Sequence, residues 1–175
     1  MAADIPRLLE PALLQSILDS TAGDNNLIIV DLCSDALYRQ KHVPSAVHLQ
    51  PGVLMAGTAP YPGKLPTIEQ LTNIIQYLGI DADNHVVIYD DEGGGWAGRF
   101  AWTLDLLGYQ NWSYLNGGIV AWIREGFATE SQANQATASN TSVSVANPTV
   151  WVSTDDIISQ LGNSDFAVWD ARSPG

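Results

Sequence analysis

His85-Val-Val-Ile-Tyr89-Asp90-Asp-Glu-Gly93-Gly-Gly95-Trp-Ala-Gly98-Arg99 decides how the rest of the chain is read. His85 to Tyr89, rich in β-branched and aromatic residues, predicts a buried strand. Asp90 to Gly95 reads as an acidic, glycine-rich loop, and Ala97 to Leu107 as a helix ended by Gly108. A strand, a short loop and a helix in immediate succession make one step of an α/β domain.

The neighbouring stretches repeat that step. Downstream, Trp112 to Leu115 predicts a strand, Asn116-Gly-Gly118 a turn, and Ile119 to Arg124 a helix before Gly126. Upstream, Thr67 with Gln70 three positions later forms a capping-box pattern. It opens a helix with Ile68, Leu71, Ile74, Ile75 and Leu78 on one face, stopped by Gly79. Residues 50–66 hold four prolines and three glycines and read as a long loop. Val47 to Leu49 reads as a short strand and Asp31 to Lys41 as the site of a short helix. Leu27 to Val30 is wholly apolar, as a buried parallel strand would be. Leu9, Leu13, Leu14, Ile17 and Leu18 have helical spacing, which predicts a helix over 8–18. Alternating short strands and helices predict an α/β fold with a parallel sheet covered on both faces.

Charge narrows the function classes. The chain of 175 residues carries a net charge of −12, which repels phosphate backbones and anionic lipid alike. Neither nucleic acid nor membrane is expected as a partner. Cys33 is the single cysteine, so an internal disulfide and a multi-cysteine metal site are both ruled out within this sequence. Met1 to Leu14 has an acid at Asp4 and no cationic run before an apolar core, which reads as no signal peptide. A cytoplasmic setting is the expectation.

Gly93 to Gly98 also matches the G-x-G-x-x-G pattern of dinucleotide-binding loops. Charge argues against that reading. Asp90, Asp91 and Glu92 would face a pyrophosphate, and no acid ends the following strand to bind a ribose. Carboxylates beside a helix start instead satisfy its free backbone N–H groups. The same loop and helix form a cradle for an anion, and the protein's own carboxylate is a candidate to fill it. Cys33 lies just past a strand among Asp31, Ser34 and Asp35, with no cation within five residues. A reactive thiolate wants positive surroundings, so Cys33 reads as a structural cysteine. His42 is expected to bond locally before Pro44, while His42, His48 and His85 match no zinc spacing. Trp96, Trp102, Trp112 and Trp122 read as core packing. No cofactor or metal is implied.

Residues 129–149 are polar and unpatterned and read as an inter-domain linker. Beyond them the chain repeats itself. Ile157-Ile158 and Leu161 follow the spacing of Leu13-Leu14 and Ile17-Leu18. Phe166-Ala-Val-Trp-Asp170-Ala-Arg-Ser173 parallels Ile28-Ile-Val30-Asp31-Leu-Cys-Ser34, and 170 − 31 and 173 − 34 both give 139. Residues 150–175 therefore read as the opening of a second copy of the domain. Their apolar side chains are too few to bury themselves. They are expected to pack on the first domain, to pair with another chain, or to be disordered.

Several of these segments resemble the rhodanese family of sulfurtransferases. Ile29-Val-Asp31, Tyr38 and Lys41-His42-Val43-Pro44-Ser45-Ala46-Val47-His48-Leu49 look like its opening signature, with Lys41 and Ser45 where the family has glycine. Leu115-Asn-Gly-Gly118-Ile-Val-Ala-Trp122 looks like its closing signature. The resemblance implies a rhodanese-like α/β fold, with a central, mostly parallel five-stranded sheet. It implies a rhodanese-like domain over 1–128, a linker over 129–149 and a second such domain from 150. In tandem members, among them thiosulfate and 3-mercaptopyruvate sulfurtransferases, the second domain carries a cysteine. That cysteine takes a sulfane sulfur as a persulfide and passes it to a thiol or cyanide. Asp90 stands at the cysteine's position here, so no catalytic residue is expected in this segment. Asp91, Glu92, Gly93, Gly94, Gly95, Trp96 and Arg99 complete the inactive-site loop. Arg172 falls on the arginine that holds the anionic donor. The partners implied are the chain's own second domain, a small anionic donor and a thiol acceptor. Two other readings stay open: an inactive rhodanese-like interaction module, and a sulfur relay through Cys33.

Overall fold

A computed structural model describes residues 5–20 and 26–169. The described elements run β1 (Leu8–Leu9), α1 (Pro11–Ser20), β2 (Leu27–Asp31), α2 (Asp35–Tyr38), β3 (Val47–His48), α3 (Ile68–Leu78), β4 (His85–Tyr89), α4 (Gly95–Leu106), β5 (Trp112–Leu115), α5 (Gly118–Arg124) and α6 (Thr154–Gln160), with 3-10 turns at Pro51–Leu54 and Pro148–Val150. Among the described residues five strands form one sheet in the order β1-β5-β4-β2-β3, every neighbouring pair parallel. The α/β class and the five-stranded sheet match the expectation, and the sheet is parallel throughout.

Alternation along the central strand splits the core into two layers. Val86 and Ile88 of β4 face one side, with Leu71, Ile74, Ile75 and Leu78 of α3 and Ala97, Phe100, Ala101 and Leu104 of α4. Val87 and Tyr89 face the other, with Leu14 of α1 and Ile119 and Trp122 of α5. The helix of 68–78 starts where its capping box predicts: Thr67 Oγ1 accepts from the Gln70 N–H and Gln70 Oε1 from the Thr67 N–H.

One reading needs correction. Leu8–Leu9 is an edge strand paired with Tyr114 and Leu115, not the first turn of a helix. Pro11 at the first position of α1 marks the true helix start, where its missing N–H costs nothing. Of the four tryptophans, Trp122 is fully buried and Trp96 and Trp112 pack partly buried against the core, as expected. Trp102 and Trp112 are half-buried because their indole N–H groups donate outward, to Val150 O at 2.8 Å and Asp105 Oδ1 at 2.8 Å. In the repeated tail the helix forms as α6, yet it buries no residue, and 166–169 form no strand. A parallel strand needs a neighbour to pair with, and Trp169 is 92% exposed. Asp170 and Arg172 lie outside the described residues. Among the described residues no helix is long and apolar enough to cross a membrane.

Phe100 is completely buried where α4 meets the sheet. Phe100→Ala is expected to cost about 3–5 kcal/mol in urea unfolding. A loss under about 1 kcal/mol would contradict this packing.

Candidate functional site

Parallel sheets place their chemistry where strands end and helices begin. At that edge β4 runs directly into Asp90, which is 1% exposed. Its Oδ1 accepts from the Gly94 N–H at 2.8 Å and the Glu92 N–H at 3.1 Å, and its Oδ2 accepts from the Ala97 N–H at 3.0 Å. The residue before α4 is Gly94, in the left-handed region with φ 97° and with no side chain to cap the helix. Asp90, four residues earlier, supplies the missing cap from the strand end. The glycine-lined loop is therefore an anion cradle already holding a carboxylate.

The closing turn seals the back of this loop. The Ile119 N–H donates to Asp90 O at 3.2 Å. Gly118 has φ 56°, and a Cβ built there would lie 2.1 Å from Asp90 O. Only glycine meets both conditions, which gives the Gly117-Gly118 pair its physical reason. Burial pushes the nearby Tyr114 hydroxyl up, with the Asp90 charge adding to the effect.

The other residues of the loop take different roles. Asp91 is half-exposed and Glu92 and Gly93 are exposed at the rim, while Trp96 packs partly against the core of α3 and α4. Arg99 is directed to the long 50–66 loop. Its Nε and Nη2 donate to Leu54 O at 3.2 and 3.1 Å, and Nη2 also donates to Gly63 O at 3.1 Å. Its guanidinium stacks over Trp102 at 4.7 Å, and burial lowers its pKa. It fastens a loop to α4.

Next to β4, the end of β2 holds a second buried carboxylate, Asp31, read above only as part of the repeat and of the opening signature. Asp31 Oδ2 accepts from the Tyr89 hydroxyl at 2.5 Å, and Oδ1 from the Cys33 N–H at 2.7 Å. The Tyr89 oxygen accepts in turn from the Val43 N–H at 3.1 Å. Burial pushes the Asp31 carboxyl up, opposed by the Tyr89 hydrogen bond. An acid that ends a wholly apolar strand must find donors inside the protein, and that was the available signal. Cys33 is fully buried. Burial first, and then the Asp31 charge, push its thiol far above the usual range. The 139-residue spacing pairs Cys33 with Arg172 in the repeat. The first copy therefore has neither a thiol at Asp90 nor a cation at Cys33.

The Rhodanese-like domain family matches residues 14–125, and the chain belongs to that family. It is 41% identical over 173 residues to a thiosulfate sulfurtransferase of Azotobacter vinelandii, covering 98% of this chain and 62% of that protein. It is 38% identical over 172 residues to a thiosulfate sulfurtransferase of Pseudomonas aeruginosa, with the same 98% and 62% coverage. The chain thus spans about three fifths of the length of these relatives. Among solved structures, a 3-mercaptopyruvate sulfotransferase from Escherichia coli superimposes with a TM-score of 0.74 at 24% identity, covering 88% of this chain and 61% of that one. At that identity the likeness establishes the rhodanese fold alone.

Each hydrogen bond to a charged group is worth about 1.5–3 kcal/mol, and deleting the acceptor strands the buried Ala97 amide. Asp90→Ala is therefore expected to lower unfolding stability by about 3–5 kcal/mol, with Asp90→Asn, which keeps one acceptor oxygen, losing less. Equal stability of Asp90→Ala and the wild type in urea would show that the carboxylate does not cap α4.

Proposed function

We propose that this chain is the non-catalytic first half of a tandem-domain sulfurtransferase, with a structural and regulatory role. The second half then carries the cysteine. Its thiolate attacks the outer sulfur of an anionic donor such as thiosulfate or 3-mercaptopyruvate. With thiosulfate the S–S bond breaks, sulfite leaves with the electron pair, and a cysteine persulfide remains. A thiol or cyanide then takes the terminal sulfur and regenerates the thiolate. Arg172 is proposed to hold the anionic donor at that second site, in a cytoplasmic setting.

The observation that carries this reading is the occupied cradle. A persulfide carrier must be a soft nucleophile whose thiolate is stabilised by loop amides at a helix start. Here the three amides serve an oxygen acid, which cannot become a persulfide and repels a second anion. The unburied apolar side chains of residues 151–169 and the shortfall in length against the relatives support a partner domain downstream. A relay through Cys33 is disfavoured by its complete burial and raised pKa. An inactive interaction module remains the alternative, favoured by the absence of both thiol and cation from the first-copy site.

The repeat places the counterpart of Asp90 at 90 + 139, close to position 229. The expected outcome is a cysteine closing that strand in the longer protein, whose replacement by serine abolishes thiosulfate:cyanide transfer. Residues 1–175 alone should show no turnover and no 32 Da sulfur adduct at Cys33 by mass spectrometry after thiosulfate treatment. Another residue at that position selects the interaction module. Turnover by the isolated chain contradicts the proposal.

A further inference from the structure

Residues 129–150, polar and without periodicity, are bonded to the domain body along most of their length. The stretch begins with a two-way backbone bridge, the His42 N–H to Glu130 O at 2.8 Å and the Glu130 N–H to His42 O at 2.9 Å. Glu130 Oε2 accepts from the Ser45 N–H at 3.0 Å. Ser45 has φ 67°, the left-handed region that disfavours any side chain. The Glu130 carboxylate thus supports the strained turn of the opening signature. Burial raises the Glu130 pKa, but the hydrogen bonds from Asn134 and Ser45 and the nearby His42 bring the net shift below its ordinary value.

Asn134 is the second fastening. Its Nδ2 donates to Glu130 Oε2 at 3.0 Å and to Ala46 O at 3.2 Å, and lies 3.3 Å from His42 Nε2. Its backbone N–H donates to the Tyr38 hydroxyl at 3.0 Å, which itself donates to Ala46 O at 2.9 Å. The His42 ring is fully buried, stacks on Tyr38 at 3.9 Å and donates from Nδ1 to Tyr38 O at 2.7 Å.

The chain next crosses α3. A Cβ on Gly79 would lie 2.4 Å from Thr137 O, so the two backbones approach as closely as glycine allows. The Ser139 N–H donates to Gln76 O at 3.1 Å, Gln76 Nε2 donates to Thr141 O at 3.0 Å, and the Thr141 hydroxyl bonds the Asp81 carboxylate. Ala136 and Val143 pack against the core. The stretch ends on α4, where the Ala146 and Asn147 N–H groups donate to Leu106 O at 3.0 Å each and Trp102 Nε1 donates to Val150 O at 2.8 Å.

We propose that residues 129–150 form a clasp, an integral part of the domain that fixes the exit of the downstream chain on α4, and not a flexible tether. A free polar linker would keep its backbone groups in water and let the two halves reorient. This one commits them at spaced points to α2, α3 and α4. The helix that receives its end is the helix that Asp90 caps, so exit point and occupied cradle share one rigid element. The inference concerns this chain's own order and holds whether or not a downstream half is catalytic.

The test is residue-resolved hydrogen exchange by NMR on the whole chain, wild type and two variants. In the wild type the amides of Glu130, Ser139, Ala146 and Asn147 and the Trp102 indole N–H are expected to exchange at least about 100-fold more slowly than in an unstructured peptide. Asn134→Ala should speed exchange at Glu130 and Ser139 by about tenfold or more, and Trp102→Phe at Ala146 and Asn147, with Val86 to Tyr89 unchanged in both. Exchange within about threefold of the peptide rate along the wild-type stretch would overturn the proposal.

Discussion

A helix that follows a buried strand after one short loop leaves its first amides without intrahelical acceptors. In this domain that need falls on α4, whose preceding residue is Gly94 and has no side chain to offer. The carboxylate of Asp90 meets it, taking the Gly94 and Ala97 amides of the helix start and that of Glu92 in the loop. Much else is built around this contact. The Gly117-Gly118 turn packs its backbone against Asp90, Phe100 and Leu104 of α4 fill the core, and the last turn of the same helix receives the chain leaving the domain. The chemistry of one side chain therefore does two things at once. It stabilises the fold, and it fills the anion cradle at the helix start with the protein's own carboxylate.

Much of the fold was legible because its signals are local. The strand at 85–89, the capping box at Thr67 and Gln70 and the glycine stops at Gly79 and Gly108 depend on residues within one element. Leu8–Leu9 was not legible. Leu9 at helical spacing from Leu13 fits a helix equally well, and only the pairing of Leu8 and Leu9 with Tyr114 and Leu115, more than a hundred positions away, makes them a strand. The tail shows the converse case. Its apolar pattern copies the first domain, but 166–169 stay unpaired among the described residues because strand formation is a property of neighbours.

The site was legible in outline. Acids beside a glycine loop predicted either a repelled ligand or a self-filled cradle, and the geometry is the second. Arg99 was grouped with that loop by proximity in sequence, yet its guanidinium reaches across to the carbonyls of Leu54 and Gly63. Side-chain direction on a helix start cannot be read without knowing what the opposite loop leaves unsatisfied. The Asp31, Tyr89 and Val43 network was missed for a similar reason: its partners are separated by 58 and 46 positions. The clasp was missed because it carries its order in hydrogen bonds and not in apolar periodicity.

An oxygen acid fills the helix-start cradle. Hydrogen-bond scalar coupling by NMR tests it at the atoms concerned. Coupling between the amide nitrogens of Gly94 and Ala97 and the carboxyl carbon of Asp90 is the predicted result. Absence of both couplings, with both amides exchanging freely with solvent, would contradict it.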